Sequence, residues 1–175
     1  ITSLMQQVVR NGSAPTLQHM YAYHMDTGGK RLRALLPLLV ADALGHDPAP
    51  LVPFGAACEM VHNATLVHDD LQDKDTMRRG HPTVWSRFGE RHAINLGDAM
   101  FYYALLLAQQ LPSSLESREL IVTQMLEGTL CVIGGGTAAD AWRIRGARPA
   151  WLHSVPAGAT RGGVARQHQG LPATR

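Results

Sequence analysis

Apolar positions recur at helical spacing over the first three quarters of the chain, and the stretches between them are short and rich in glycine, proline and charge. The segment "SLMQQVVRNG" reads as a short helix that stops at Gly12. "GGKRLR" reads as a turn leading into an apolar helix, which ends near "ALGHDPAP" where glycine and two prolines follow. "LVPFGAACEMVHNATLVHDDLQD" is predicted as one long helix with few charges on any side, as expected in the middle of a bundle. "KDTMRRGHPT" is a loop with Gly80 and Pro82 as breakers; two further helices follow, "AINLGDAMFYYALLLAQQL" and "LESRELIVTQMLEGTLCVI". No convincing alternating strand and no internal repeat interrupts the series, so the predicted fold class is all-α, a helical bundle. From about Gly134 the periodicity fades into a segment rich in Gly, Pro and Arg with Asp140 as its only acid, and at most one short helix fits there, around Ala138 to Arg145. The predicted organisation is a helical domain over residues 1–140 and a poorly ordered basic tail over 141–175.

Composition narrows this only a little. A chain of 175 residues has the length of one domain, and 45% apolar content excludes a disordered chain of low hydrophobicity. The formal charge of +2 gives no argument for a nucleic-acid partner. Cys58 and Cys131 fit neither a disulfide framework nor a zinc site and are read as reduced core residues. The longest apolar run is too short to span a bilayer, and no cationic, apolar leader opens the sequence, so a cytoplasmic protein without a membrane span is expected.

The unusual chemistry lies in "LVHDDLQDKDTMRRG". Four of the chain's 14 acidic residues fall within seven positions, and two arginines follow. At about 100° per residue, His62, Asp69 and Asp73 project within about 40° of one another on the long helix, while Asp70 points about a quarter-turn away. Two carboxylates one turn apart on an apolar helix repel each other unless a cation sits between them. Magnesium suits that arrangement, because it takes a few carboxylate oxygens, keeps several waters and completes its shell with phosphate. Arg78 and Arg79 sit in a turn past the helix end, where forked guanidinium groups can hold phosphate oxygens. A glycine pair followed by Lys30, Arg31 and Arg33 at a helix start offers a second phosphate-binding element. Carboxylates for metal and cations for phosphate in one helical domain point to a diphosphate bound through magnesium.

Each signal alone has an ordinary explanation. Acids at a helix C-terminus are usually a solvated end, "GGKR" is more often a basic turn, and a lone His62 is more often a structural histidine. His68 points away from His62 and Asp69 and is read as structural. A calcium-binding loop of the EF-hand type fails because the acid at its twelfth position is absent.

Taken in order, "GGKRLR", "CEMVHNATLVHDDLQDKDTMRRGHPT" and "NLGDAMFYYAL" resemble the trans-polyprenyl diphosphate synthases, over about Thr27 to Tyr103 and loosely to Asp140. The resemblance implies a helical bundle of the isoprenoid synthase type around a deep cavity, a homodimer, and magnesium as cofactor. It implies condensation of an allylic prenyl diphosphate with isopentenyl diphosphate, with no side-chain nucleophile. Carried over by position, Asp69 and Asp73 would hold magnesium bridged to the allylic diphosphate, and Arg78 would contact that diphosphate. Lys30, Arg33, His62 and Arg79 would hold the diphosphate of isopentenyl diphosphate. The residue five before the first aspartate, Ala64, would face the growing chain; being small, it favours a product longer than farnesyl.

The chain departs from the family pattern after Leu126. A second aspartate-rich motif is missing, Thr137 stands where the family usually has glutamine, and nothing beyond Ala147 is familiar. The expectation is therefore a bundle incomplete at its C-terminal end, a truncated form with little or no synthase activity alone, and apolar helix faces left uncovered. Two other functions compete: a non-catalytic synthase-like subunit, against which the intact first motif argues, and a terpene cyclase of related fold. A cyclase has no second diphosphate to hold, so "GGKRLR" and the Arg78–Arg79 pair argue against it.

Overall fold

The structure is a computed structural model and describes residues 1–12, 14–112, 114 and 118–133. It is built from α1 (Thr2–Gly12), α2 (Pro15–Asp26), α3 (Leu32–Ala43), a 3-10 turn (Ala49–Leu51), α4 (Val52–Gln72), a minimal hairpin of β1 (Met77–Arg78) and β2 (His81–Pro82), α5 (Val84–Phe88), α6 (Glu90–Ala108) and α7 (Arg118–Ile133). The all-α class holds, and the hairpin lies within the expected loop. The predicted tail, with its Gly136–Asp140 segment and the 140/141 domain boundary, falls outside the described residues.

Helix α4 is the axis of the fold. Its main seam is with α6 and its second with α3. Met60, Ala64 and Val67 of α4 meet Ala93, Leu96, Met100 and Leu107 of α6, and all are completely buried. Helix α1 adds Met5 and Val9, and α2 adds Met20 and Met25. Small residues allow the close approach: a Cβ on Gly55 would strike the backbone carbonyl of Ala34 on α3, and one on Gly97 of α6 would strike the His68 ring. His68 is thus a packing residue, its Nε2 donating to the Ile94 carbonyl oxygen (3.2 Å).

Two helix faces are open. On α3, Ala34 and Ala41 face α4, while Leu32, Leu36, Leu39 and Leu44 are each more than 60% exposed. On α6, Ile94, Tyr102 and Leu106 form an exposed stripe. Both are apolar surfaces of the kind that marks an interaction face. A cavity of about 550 Å³ opens between α3, the start of α4 and α7, lined mainly by Val40, Leu44, Leu51, Phe54 and Ile121. No helix among the described residues is long and apolar enough to cross a membrane.

Candidate functional site

The site is built where α4 ends. The Lys74 N–H donates to Leu71 O (3.3 Å) and the Asp75 N–H to Asp70 O (2.9 Å), with Lys74 in the left-handed region at φ 58°. This is the paired bond pattern that stops a helix and reverses the chain. Lys74 carries the strain while its ammonium pairs with Glu90 (2.8 Å) and covers the Trp85 ring. Thr83 Oγ1 and Trp85 Nε1 both donate to Asp75 O (2.8 and 2.7 Å), which fixes the returning strand and starts α5. In the hairpin, Arg79 (φ 52°) and Gly80 (φ 82°) form the tight two-residue turn that needs two positive φ angles. Tyr23 Oη of α2 donates to Pro82 O (2.6 Å) and ties the hairpin to the bundle.

That reversal brings Arg78 back against α4. Its Nε donates to both carboxylate oxygens of Asp70 (2.8 and 3.0 Å) and its Nη2 to Oδ1 (2.6 Å). Asp70 is 2% exposed, so this forked pair is nearly dry on the carboxylate side. The bonds to Asp70 hold the Arg78 guanidinium still more firmly in its charged form. Asp70 is the functional neighbour that residue spacing left aside: the quarter-turn that removes it from the open face aims it at the arginine.

Asp69 and Asp73 lie on the other side, one turn apart, with the Asp73 N–H donating to Asp69 O (2.8 Å). Both are exposed, and no hydrogen bond or ion pair reaches either carboxylate among the described residues. The Asp69 carboxyl is pushed above its ordinary range, first by partial burial and then by the negative charge of Asp73. Two carboxylates one turn apart and without a partner among the described residues, the first with its ionisation disfavoured by the charge of the second, fit a divalent cation. Among the described residues no three His, Cys, Asp or Glu side chains converge on one point, so phosphate and water would have to complete a hard-cation shell.

His62 lies about two turns before Asp69 on this face. Burial lowers its pKa first, and the positive charges of Arg33, Arg79 and Arg78 lower it further. The imidazole is therefore neutral among three guanidinium groups, and this is the basic end of the site. Arg33 reaches it from the exposed first turn of α3, and Arg79 from the hairpin, where its Nη1 donates to Gly28 O in the glycine turn. The structure thus brings together six of the seven residues expected from sequence: Arg33, His62, Asp69, Asp73, Arg78 and Arg79. Lys30 is exposed on the same turn as Arg31, and no contact joins it to the others. Ala64 is completely buried in the α4–α6 seam. Cys58 is mostly buried, and burial pushes its thiol up to about 11, in keeping with an inert core residue.

Comparison with known proteins matches residues 14–146 to the family described as polyprenyl synthetase. A farnesyl diphosphate synthase from Geobacillus stearothermophilus is 42% identical over 112 residues, which are 63% of this chain and 38% of that protein. A geranylgeranyl diphosphate synthase from Methanosarcina mazei is 46% identical over 79 residues, 45% of this chain and 24% of that protein. Among solved structures, a geranylgeranyl pyrophosphate synthetase from Geoglobus acetivorans superposes with a TM-score of 0.70 at 33% identity, covering 75% of this chain and 43% of the other. A polyprenyl synthetase from Streptomyces coelicolor gives a TM-score of 0.68 at 32% identity, with 77% and 42% covered. The chain spans less than half the length of each of these relatives.

Proposed function

Because this chain belongs to the polyprenyl synthetase family, we propose that it is the diphosphate-binding portion of a prenyltransferase that condenses an allylic prenyl diphosphate with isopentenyl diphosphate. The observation that carries this reading is the open stripe of α4, where two carboxylates without a partner among the described residues run up to a neutral His62 set among Arg33, Arg78 and Arg79. Asp69 and Asp73 are the residues that would hold magnesium, which when bound neutralises the allylic diphosphate and assists its departure. Arg78 has Nη1 without a hydrogen bond among the described residues and offers it to the same diphosphate, its other nitrogens being held by Asp70. Lys30, Arg33, His62 and Arg79 take the diphosphate of isopentenyl diphosphate.

The chemistry asks little of the side chains. The allylic C–O bond breaks with the electron pair leaving on diphosphate, the isopentenyl double bond attacks the allylic carbon, and a proton is lost. The protein contributes position and charge: two polyanionic head groups are brought close by two basic clusters, with no nucleophile of its own. The apolar cavity at Leu51 and Phe54, about 25 Å down α4 from Asp69, suits a prenyl tail. The exposed stripe of Ile94, Tyr102 and Leu106 on α6 suits a homodimer, and a cytoplasmic location fits the rest.

Titration of the 175-residue chain with farnesyl diphosphate tests the reading. Binding that needs magnesium and disappears in Asp69→Ala and Asp73→Ala is expected; binding indifferent to magnesium or to both substitutions refutes it. With isopentenyl diphosphate added, turnover far below that of a complete synthase is expected, and comparable turnover overturns the truncated reading.

A further inference from the structure

A second polar stripe on α4 has no role in the reading above. Glu59, Asn63 and Asp70 lie within about 40° of one another around the helix, and they are 3%, 2% and 2% exposed. Asp70 is accounted for by Arg78. Glu59 is a carboxylate buried deep in the bundle, and such a group is costly unless a cation or donors answer it.

Its answers come from the glycine turn. Arg31 Nη1 stands 3.8 Å from Glu59 Oε1. The same guanidinium donates from Nη2 to Met25 O (2.9 Å) at the carbonyl end of α2 and from Nη1 to Gly28 O (3.4 Å). Arg31 therefore folds inward instead of facing a ligand, and its backbone sits in the left-handed region at φ 50°. That conformation is unfavourable for a non-glycine residue and persists only where surroundings over-determine it. A Cβ on Gly29 would lie 2.7 Å from Arg31 Nη1 and 2.8 Å from Arg79 Nη1, so two guanidinium groups flank that glycine. They repel each other, and the buried carboxylate beneath offsets the repulsion.

The carboxylate is itself held in register. Asn63 Nδ2 donates to Glu59 O (2.8 Å) and Glu59 Oε1 (3.1 Å), so Asn63 Oδ1 must accept from His24 Nε2 (3.1 Å). Deep burial keeps His24 neutral, with its pKa lowered to about 4, and leaves the Nε2–H tautomer as the donor. The chain runs His24 to Asn63 to Glu59, met from the other side by Arg31. Glu59 Oε2 remains buried without a partner among the described residues.

We propose that Glu59 is a positioning residue: by holding Arg31 under Gly28 and Gly29 it sets the turn so that Lys30 and Arg33 face outward to bind diphosphate. The role in binding rests on the function proposed above; the control of the turn's conformation does not.

Amide hydrogen exchange and titration with inorganic diphosphate on the full chain test both. In Glu59→Gln, exchange at Gly28, Ala34 and Leu35, whose N–H groups are held by Met25 O and Arg31 O, is expected to quicken about tenfold as the Arg31–Glu59 ion pair is lost, while α6 keeps its protection. Unchanged exchange in the turn, or equal acceleration in α6, overturns the proposal. Arg31→Gln, at a side chain near the surface, should reproduce the pattern without touching the core. Each variant should weaken diphosphate about tenfold, and the double variant no more than either alone. Additive losses mean that Glu59 does not act through Arg31 and also overturn it. If the unaltered chain binds no diphosphate, the proposed function fails, and the exchange pattern alone decides the positioning role.

Discussion

Helix α4 carries two polar stripes about 80° apart. On the buried one, Glu59, Asn63 and Asp70 are nearly inaccessible, and Arg31, His24 and Arg78 come to them from three different elements. On the open one, Asp69 and Asp73 have no hydrogen-bonded partner among the described residues, and His62 is kept neutral by burial and surrounding positive charge. Asp69 and Asp70 are adjacent and chemically identical, yet one is satisfied within the protein and the other is not. Carboxylates already answered by the fold are structural; those left unanswered, close enough to repel, are the ones available to a ligand.

The largest expected difference is between those two neighbours. Asp70→Asn removes one side of a buried charge pair and strands Arg78, so unfolding by denaturant should show a loss of about 3 kcal/mol. Replacing both members, Asp70→Asn with Arg78→Gln, should cost clearly less than the two single losses added together. Asp69→Asn should leave stability almost unchanged while abolishing magnesium-dependent binding of diphosphate. Equal stability losses at the two aspartates would erase the distinction between the stripes.

A smaller effect follows from pH. His24 has its pKa lowered to about 4 by burial, so the unfolded chain takes up its proton at higher pH than the folded chain does. Its neutral form supports the fold fully above about pH 6.5, and that support is lost as pH falls toward 4, by about 1.4 kcal/mol per unit. The difference in unfolding free energy between the unaltered chain and His24→Gln, followed from pH 7 to 4, isolates this contribution. A difference that does not change with pH would mean that the buried stripe does not depend on a neutral imidazole.

The smallest effect belongs to the open stripe itself. Without metal, Asp73→Asn relieves the repulsion that helps raise the Asp69 pKa. A gain of a few tenths of a kcal/mol is expected, as for other exposed like-charge pairs one turn apart. Added magnesium should reverse the order of stability. If the acidic chain is the more stable one even without metal, the two carboxylates already have a partner.

Much of this was legible beforehand. Apolar spacing gave α4 and α6 closely, and Gly45 ends α3 as its position implied, with its N–H bonded to Asp42 O (2.9 Å). The shared face of His62, Asp69 and Asp73 followed from helix geometry. Helices α2 and α5 did not. The first, "PTLQHMYAYHMD", is stabilised by pairings such as His24 with Asn63, 39 positions away, and the second by two bonds to a single carbonyl oxygen of the preceding turn. The resemblance implied that Ala64 faces the growing chain; the fold packs it into the α4–α6 seam, a contact with another helix that a motif does not reveal.

Local order along the chain settled the helices and the faces on which the acids lie, because both depend only on backbone geometry and the spacing of side chains a few residues apart. Which acid is neutralised, which arginine turns inward and which positions stay open was decided by the folded bundle. Those outcomes depend on burial and on charges from α2, the glycine turn and the hairpin, which spacing along a single helix does not encode.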